Sequence, residues 1–299
     1  MPIFFERAFR VRHYECDAYG HVNHANYVRY MQETAFDASA AVGYALADYE
    51  AMGRFWLVRE TDVTYLQPLR YGDTVIVKTW VSDFRRVRSR RMYELRLAAT
   101  DQLVATAHTE WIYLDAATRR PTTIPPEMIA AFLPVDEDGT GQRRDKFPEP
   151  PSPPPGVFSM RLKVNWRDLD SAGHVNNAMY LAYLEDCGIQ ILADRGWSMD
   201  RMQTHGFGMF ARRYRIEYRQ EALLDDEVEV ATWVSDVKRA TAVRHYTITR
   251  ISDGVVLARA RAVWVWVNLI NGRPIRIPAE FMAAFQDNVS REAEHSLSS

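Results

Sequence analysis

Cysteine is almost missing from this 299-residue chain: only Cys16 and Cys187 occur, too few for a disulfide framework and not spaced as a metal knuckle. An excess of either charge is also missing. Lys and Arg number 37 against 39 Asp and Glu, a net charge of -2, which gives no reason to expect nucleic acid or an anionic membrane as the main partner. No apolar run approaches the roughly 18 residues of a membrane span, and the opening Met-Pro-Ile-Phe-Phe-Glu-Arg lacks a basic region followed by an apolar stretch. A cytoplasmic, soluble protein is the expectation. With 47% hydrophobic and 25% charged residues, the chain has the composition of a globular protein large enough for two domains with real cores.

What the sequence does contain is a repeat. Asp17-Ala-Tyr-Gly-His-Val-Asn-His-Ala-Asn-Tyr27 matches Asp170-Ser-Ala-Gly-His-Val-Asn-Asn-Ala-Met-Tyr180 at 7 of 11 positions, at an offset of 153 residues. The offset persists downstream: Thr79-Trp-Val-Ser-Asp83 returns as Thr232-Trp-Val-Ser-Asp236, Trp111 as Trp264, Arg120-Pro121 as Arg273-Pro274, and Ile124-Pro125 as Ile277-Pro278. Two copies of one fold related by duplication follow from this. The expected organisation is a first repeat over 1–133, a Pro-rich linker over 134–159, a second repeat over 160–286 and a polar tail over 287–299.

Each repeat reads as a short strand, one long helix and several further strands. Phe9 to Tyr14 and Leu162 to Trp166 are the first-strand candidates. The helices are expected from about His24 to Val42 and Asn177 to Arg195, because Tyr27, Met31, Ala35 and Ala38, and Tyr180, Leu184 and Ile191, recur at helical spacing. Gly43 and Gly196 follow as stops. Arg54 to Leu66, Asp73 to Phe84, Val87 to Ala99 and Leu103 to Asp115 are rich in Val, Ile, Thr, Trp and Tyr and predict antiparallel strands joined as hairpins. One mostly apolar helix with a meandering sheet implies an α+β unit in which the sheet curls around the helix. Two such sheets are expected to pair by their edges.

The chemistry candidates are Asp17, His21 and Asn23 and their copies Asp170, His174 and Asn176, each in the loop before the long helix. Exposed amides and the positive end of the helix dipole favour an oxyanion or carboxylate there. The bland alternative is that Asp or Asn only caps the helix, while His and Tyr are satisfied core groups. A cap tolerates several residue types, yet both loops keep the full Asp, Gly, His, Val, Asn, Tyr set, which favours function. Cys16 has Leu169 at the matching position, so a shared thiol nucleophile is not expected. Asp17, His21 and His24 are also ligand types, but Asn177 replaces His24 in the second copy, which argues against zinc. Neither a metal nor a cofactor is expected.

These segments resemble the signature of hotdog-fold thioesterases of the 4-hydroxybenzoyl-CoA thioesterase type. The second copy, Arg167 to Tyr180, is also similar to the acyl-ACP thioesterases, which are double hotdogs. The likeness extends over residues of about 8–133 and 160–286, and implies two tandem hotdog repeats, each a long central helix wrapped by a curled antiparallel sheet. It also implies hydrolysis of an acyl thioester in fatty acid metabolism, on acyl-CoA or acyl-ACP, with the catalytic acid at Asp17 and Asp170 and the helix N-terminal amide at His24 and Asn177. Tyr27 and Tyr180 join these as expected substrate-binding residues. The family's acid five residues after the motif tyrosine falls on Glu185, whereas the first repeat has Gln32 there, then Glu33. The Asn that acyl-ACP enzymes place two residues before the His is Tyr19 and Ala172 here, which leaves the carrier open.

In the mechanism this implies, Asp acts as nucleophile or as general base on water, and the helix amide stabilises the oxyanion. His21, Asn23, His174 and Asn176 orient the reacting groups, and pantetheine enters between repeats. Two alternatives stay open: a hotdog hydratase or dehydratase on acyl-CoA, whose usual motif carries a Pro absent from both loops, and a non-catalytic acyl-thioester binding module. Phe84-Arg-Arg-Val-Arg-Ser-Arg-Arg91 reads as a solvated hairpin or as a contact for CoA phosphates or an acidic carrier. A homodimer of double hotdogs is a further possibility.

Overall fold

The computed structural model describes residues 3–132 and 144–290. The chain divides into two compact units, Met1–Lys146 and Phe147–Ser299, each an antiparallel sheet with one long helix, the α+β hotdog architecture. In the first unit the order is β1 (Phe5–Arg10), a 3-10 turn (His13–Glu15), α1 (His24–Ala40), α2 (Leu46–Ala51), β2 (Arg54–Tyr65), β3 (Thr74–Arg85), β4 (Arg88–Leu97), β5 (Leu103–Asp115) and α3 (Pro126–Phe132). The second repeats it as β6 (Phe158–Lys163), a 3-10 turn (Trp166–Asp168), α4 (Asn177–Asp194), α5 (Met199–Thr204), β7 (Phe207–Tyr218), β8 (Glu227–Ser235), β9 (Thr241–Arg250), β10 (Val256–Asn268) and α6 (Ala279–Ala284). Strands neighbour one another in the order β1, β3, β4, β5, β2 in one unit and β6, β8, β9, β10, β7 in the other.

Period-two burial sets which side of each strand meets the helix. Val75, Val77, Thr79 and Val81 of β3 are buried while the residues between them are half-exposed, and Ser89, Arg91, Tyr93 and Leu95 do the same in β4. The helix stripe packs onto this face. Tyr27, Met31, Ala35 and Ala38 of α1 are buried, as are Tyr180, Leu184 and Ile191 of α4. Gly43 and Gly196 stand just beyond the helices at φ 87 and 72, the left-handed stop that a side chain resists. No helix among the described residues is long and apolar enough to cross a membrane.

Several expectations need correction. The first strands are Phe5–Arg10 and Phe158–Lys163, earlier than Phe9 to Tyr14 and Leu162 to Trp166. Each is paired with one neighbour only, β3 or β8, so Glu6, Arg7 and Arg10 are tolerated and the hydrophobic period is weak. Trp166, read as a strand aromatic, is 79% exposed on the 3-10 turn. Not every strand is joined to the next by a hairpin: β2 pairs with β5 rather than β3. Residues 66–73 form the connection, pinned where the Leu69 amide donates to the Tyr27 hydroxyl (3.2 Å) and the Val11 amide to the Asp73 carbonyl (2.8 Å).

Residues 134–143 of the expected linker, and residue 133 before it, lie outside the described residues. Its remainder is anchored. Arg144 pairs with Asp83 and Glu110 at 2.9 Å each, the buried Phe147 ring lies under Arg215 and Arg259, and the Pro151 carbonyl accepts from the Trp233 indole (3.2 Å). The first residues of the expected polar tail are anchored too, contrary to fraying. Asn288 is fully buried and donates to the carbonyls of Gly156 and Thr232, and the Ser290 amide donates to the Val234 carbonyl.

Candidate active site

In each unit the motif forms a tight loop delivering the chain to the long helix. The Asp17 amide donates to the His21 carbonyl (2.7 Å) and the Gly20 amide to the Asp17 carbonyl (2.9 Å); Asp170, His174 and Gly173 repeat this at 3.0 Å each. Gly20 and Gly173 turn the loop at φ 74 and 80, a conformation that glycine adopts without strain. The carboxylates are built into the turn. Oδ1 of Asp17 accepts from the amides of Tyr19 (2.8 Å) and His21 (3.0 Å), and Oδ1 of Asp170 from the Ala172 amide (3.0 Å).

Asn23 and Asn176 cap α1 and α4, their side-chain oxygens accepting from the amides of Ala25 and Ala178 at 2.9 Å. The capping reading is therefore true of these asparagines. In the second unit the cap does more: Nδ2 of Asn176 reaches Oδ2 of Asp170 at 3.4 Å. Asn177 is the first residue of α4, so its amide is one of the N–H groups at the positive end of the helix that lack an intrahelical acceptor.

The histidines differ between the copies. His174 stands between two acids, with Nδ1 3.8 Å from Asp170 and Nε2 3.8 Å from Glu221, and Nδ1 is also 3.4 Å from the Val175 carbonyl. The position matching Glu221 in the first unit is Pro68. There His21 bridges to Arg70 through the backbone, and burial followed by the Arg70 guanidinium pushes its imidazole below the ordinary value, against the opposing pull of Asp17. His24 stacks edge-on to Tyr65 at 4.6 Å; in the second unit the matching Tyr218 hydroxyl donates to the Asn177 carbonyl (3.1 Å).

The two tyrosines expected to bind substrate lie in the core beneath the loop. Tyr27 and Tyr180 are buried, and their hydroxyls accept from the amides of Leu69 (3.2 Å) and Ala222 (3.1 Å). Burial raises both phenols well above the usual range. They fix the connection beneath the loop. The sequence reading missed Glu221 and a second pair of acids, Glu15 and Asp168, which are buried and accept from the hydroxyls of Tyr30 (2.7 Å) and Tyr183 (2.8 Å). Their backbone carbonyls take the amides of Asn23 and Asn176 at 2.9 Å. The 153-residue offset carried that signal, since acid and tyrosine both recur. Glu185 is half-buried on α4, while Glu33 is exposed and pairs with Arg7.

Cys187 lies in the core with its thiol toward the Val230 carbonyl (3.4 Å), and burial pushes it up to about 12. The ligand-type cluster in the described residues lies elsewhere: Glu60, Asp62 and His108, with one donor atom from each within 4.8 Å of the others. At the matching places the second unit has Arg213, Arg215 and Arg261, so no such set is shared.

The thioesterase-like superfamily profile matches residues 11–132 and 164–285, the two units in turn. The chain belongs to that superfamily. Among the relatives of this thioesterase-like chain, the chloroplastic palmitoyl-acyl carrier protein thioesterase of Gossypium hirsutum is 25% identical over 279 residues, covering 88% of this chain and 64% of its own length. The chain thus spans somewhat under two thirds of that relative. Among solved structures, a Lactobacillus plantarum protein assigned as an oleoyl thioesterase superposes with a TM-score of 0.74 at 19% identity, over 88% of this chain and 96% of its own. The 12:0-ACP thioesterase of Umbellularia californica does so with 0.68 at 23% identity, over 87% and 93%. At these identities the superpositions establish a common fold.

Proposed function

We propose that this member of the superfamily is an acyl-thioester hydrolase that releases a carboxylic acid from acyl-CoA or acyl-ACP, with the second unit carrying most of the turnover. The observation that carries this reading is the arrangement around Asp170: a carboxylate at the mouth of α4, met by Asn176 and His174, with Glu221 behind the imidazole. The thioester carbonyl is aimed at the Asn177 amide, whose N–H and the helix dipole oppose the charge developing on oxygen. Asp170 takes a proton from water, or attacks the carbonyl carbon itself to expel the thiolate and form a mixed anhydride, whose acyl carbon water then attacks to release the acid and restore Asp170. In either route a water oxygen ends on the acyl carbon and the C–S bond breaks, with the thiol leaving protonated. His174, oriented by Glu221, holds the water or the leaving sulfur in place. The relatives' names support hydrolysis of acyl thioesters as the reaction class, and the carrier and chain length are part of the proposal.

The test is thiol release from an acyl-CoA and acyl-ACP panel by the native protein, Asp17→Asn, Asp170→Asn and the double variant. Asp170→Asn is expected to lose 10²–10⁴-fold in kcat, the usual reach of a positioned acid or base. Asp17→Asn loses less, and the double variant is inactive while still folded. Full activity in the folded double variant sinks the assignment.

A further inference from the structure

The two units differ at one buried point on the face of the sheet that meets the long helix. In the first, the Thr109 hydroxyl on β5 is a hub. It takes the Trp111 indole N–H at 2.6 Å and meets the Tyr93 hydroxyl at 3.1 Å. In the second unit Trp264 and Tyr246 keep those places, but Thr109 has become Ala262. The oxygen is gone; among the described residues the buried Trp264 indole N–H has no hydrogen-bond partner, and the buried Tyr246 hydroxyl has none within 3.5 Å and faces the hydroxyl of Tyr214.

The surroundings are rich in donors. Arg244 lies directly across the strand pair from Ala262, 96% buried. It has only the Thr232 hydroxyl at 3.4 Å and the face of Phe285 at 5.8 Å, with no carboxylate in ion-pair range among the described residues. Tyr214 flanks Ala262 on the other side, its ring edge-on to Trp264 at 6.1 Å. Nearby, the Trp266 indole N–H is likewise buried and unmatched. Burying such a group unpaired is unfavourable, and burying an isolated cation more so. A cluster of this kind calls for an acceptor from outside the chain.

Its position indicates what supplies the acceptor. The Tyr246 hydroxyl lies against Gly188 of α4, 3.3 Å from where a Cβ would stand. Gly188 is eleven residues beyond Asn177, about 16 Å along the helix axis at the usual rise. We infer that the interior of the second unit accepts an acyl group bearing an oxygen, as hydroxyl or carboxylate, at its end remote from the thioester, held by Tyr246, Trp264 and Arg244. This rests on the hydrolase reading only for identifying the ligand as an acyl group.

Binding of free acids tests it without requiring turnover. Saturated fatty acids from octanoic to hexadecanoic are compared with their ω-hydroxy and ω-carboxy counterparts, by calorimetric titration of the native protein, Ala262→Ser and Tyr246→Phe. At one chain length the oxygenated acid should bind the native protein about five- to tenfold more tightly than the plain acid, the range one buried hydrogen bond gives. Ala262→Ser, which returns a hydroxyl to the vacant position, and Tyr246→Phe, which removes a donor, should both cut that preference to within about twofold. Equal affinity at every length, as expected if water fills the position, overturns the inference; so does a preference undiminished in both variants. Thiol release from plain acyl-CoA by the native protein separately decides the hydrolase reading, since its absence leaves the free-acid comparison intact.

Discussion

A proline in one copy and a glutamate in the other separate the two motif loops more than any difference within them. Pro68 offers the first loop no side-chain acceptor, whereas Glu221 stands 3.8 Å from the His174 ring. A carboxylate behind an imidazole fixes its orientation. Glu221→Gln keeps the shape and removes the charge, so kcat should fall about tenfold with KM little changed. An unchanged kcat in Glu221→Gln would show that Glu221 only packs. The motif residues themselves were legible because they recur, but their roles were not. Tyr27 and Tyr180 recur as faithfully as Asp17 and Asp170, yet they are retained to anchor the amides of Leu69 and Ala222. Duplication preserves structural and chemical constraints alike. Glu221 escaped because it lies fifty-one positions beyond the motif aspartate and has no copy, so neither the repeat nor local spacing marks it.

Among the elements, helices and central strands were readable and edge strands were not. The stripe of α1 and the alternation of β3 and β4 are enforced by burial, while β1 and β6 pair on one side only and carry charges freely. The crossover between β2 and β3 was hidden for a related reason: both strands have good β composition, and the partner of each is set by contacts distant in sequence. Side-chain hubs inside a sheet are equally invisible to pattern. Thr109 holds Tyr93 and Trp111 in the first unit, and Thr109→Ala recreates the arrangement of the second unit without Tyr214 beside it. The loss of two buried hydrogen bonds should lower stability by about 3 kcal/mol, read as a lower urea midpoint at constant m-value. Thr109→Ser should recover most of it. A Thr109→Ala midpoint equal to that of the native protein would remove the hub from the account of this sheet.

Across the molecule, the constant 153-residue offset made two like units legible from the start, but it concealed how differently they respond to acid. In the second unit His245 is buried, its Nε2 2.8 Å from the Ser235 hydroxyl, and burial followed by Arg261 lowers its imidazole to about 4, against the pull of Asp236. At the matching place the first unit has Met92. A folded-state value below the unfolded one means that the unfolded chain binds more protons between pH 6.5 and about 4. Stability is therefore full above that window and lost as pH falls through it, by about 3 kcal/mol. His21 in the first unit shifts the same way, but it is half-exposed, so solvent screens the effect. Amide hydrogen exchange at pH 5 against pH 7.5, corrected for intrinsic rates, should show protection falling further in β8, β9 and β10 than in β3, β4 and β5. His245→Met should bring the two sets of strands together at low pH. If the difference survives that substitution, its source is some group other than His245, and the buried imidazole cannot be what weakens the second unit in acid.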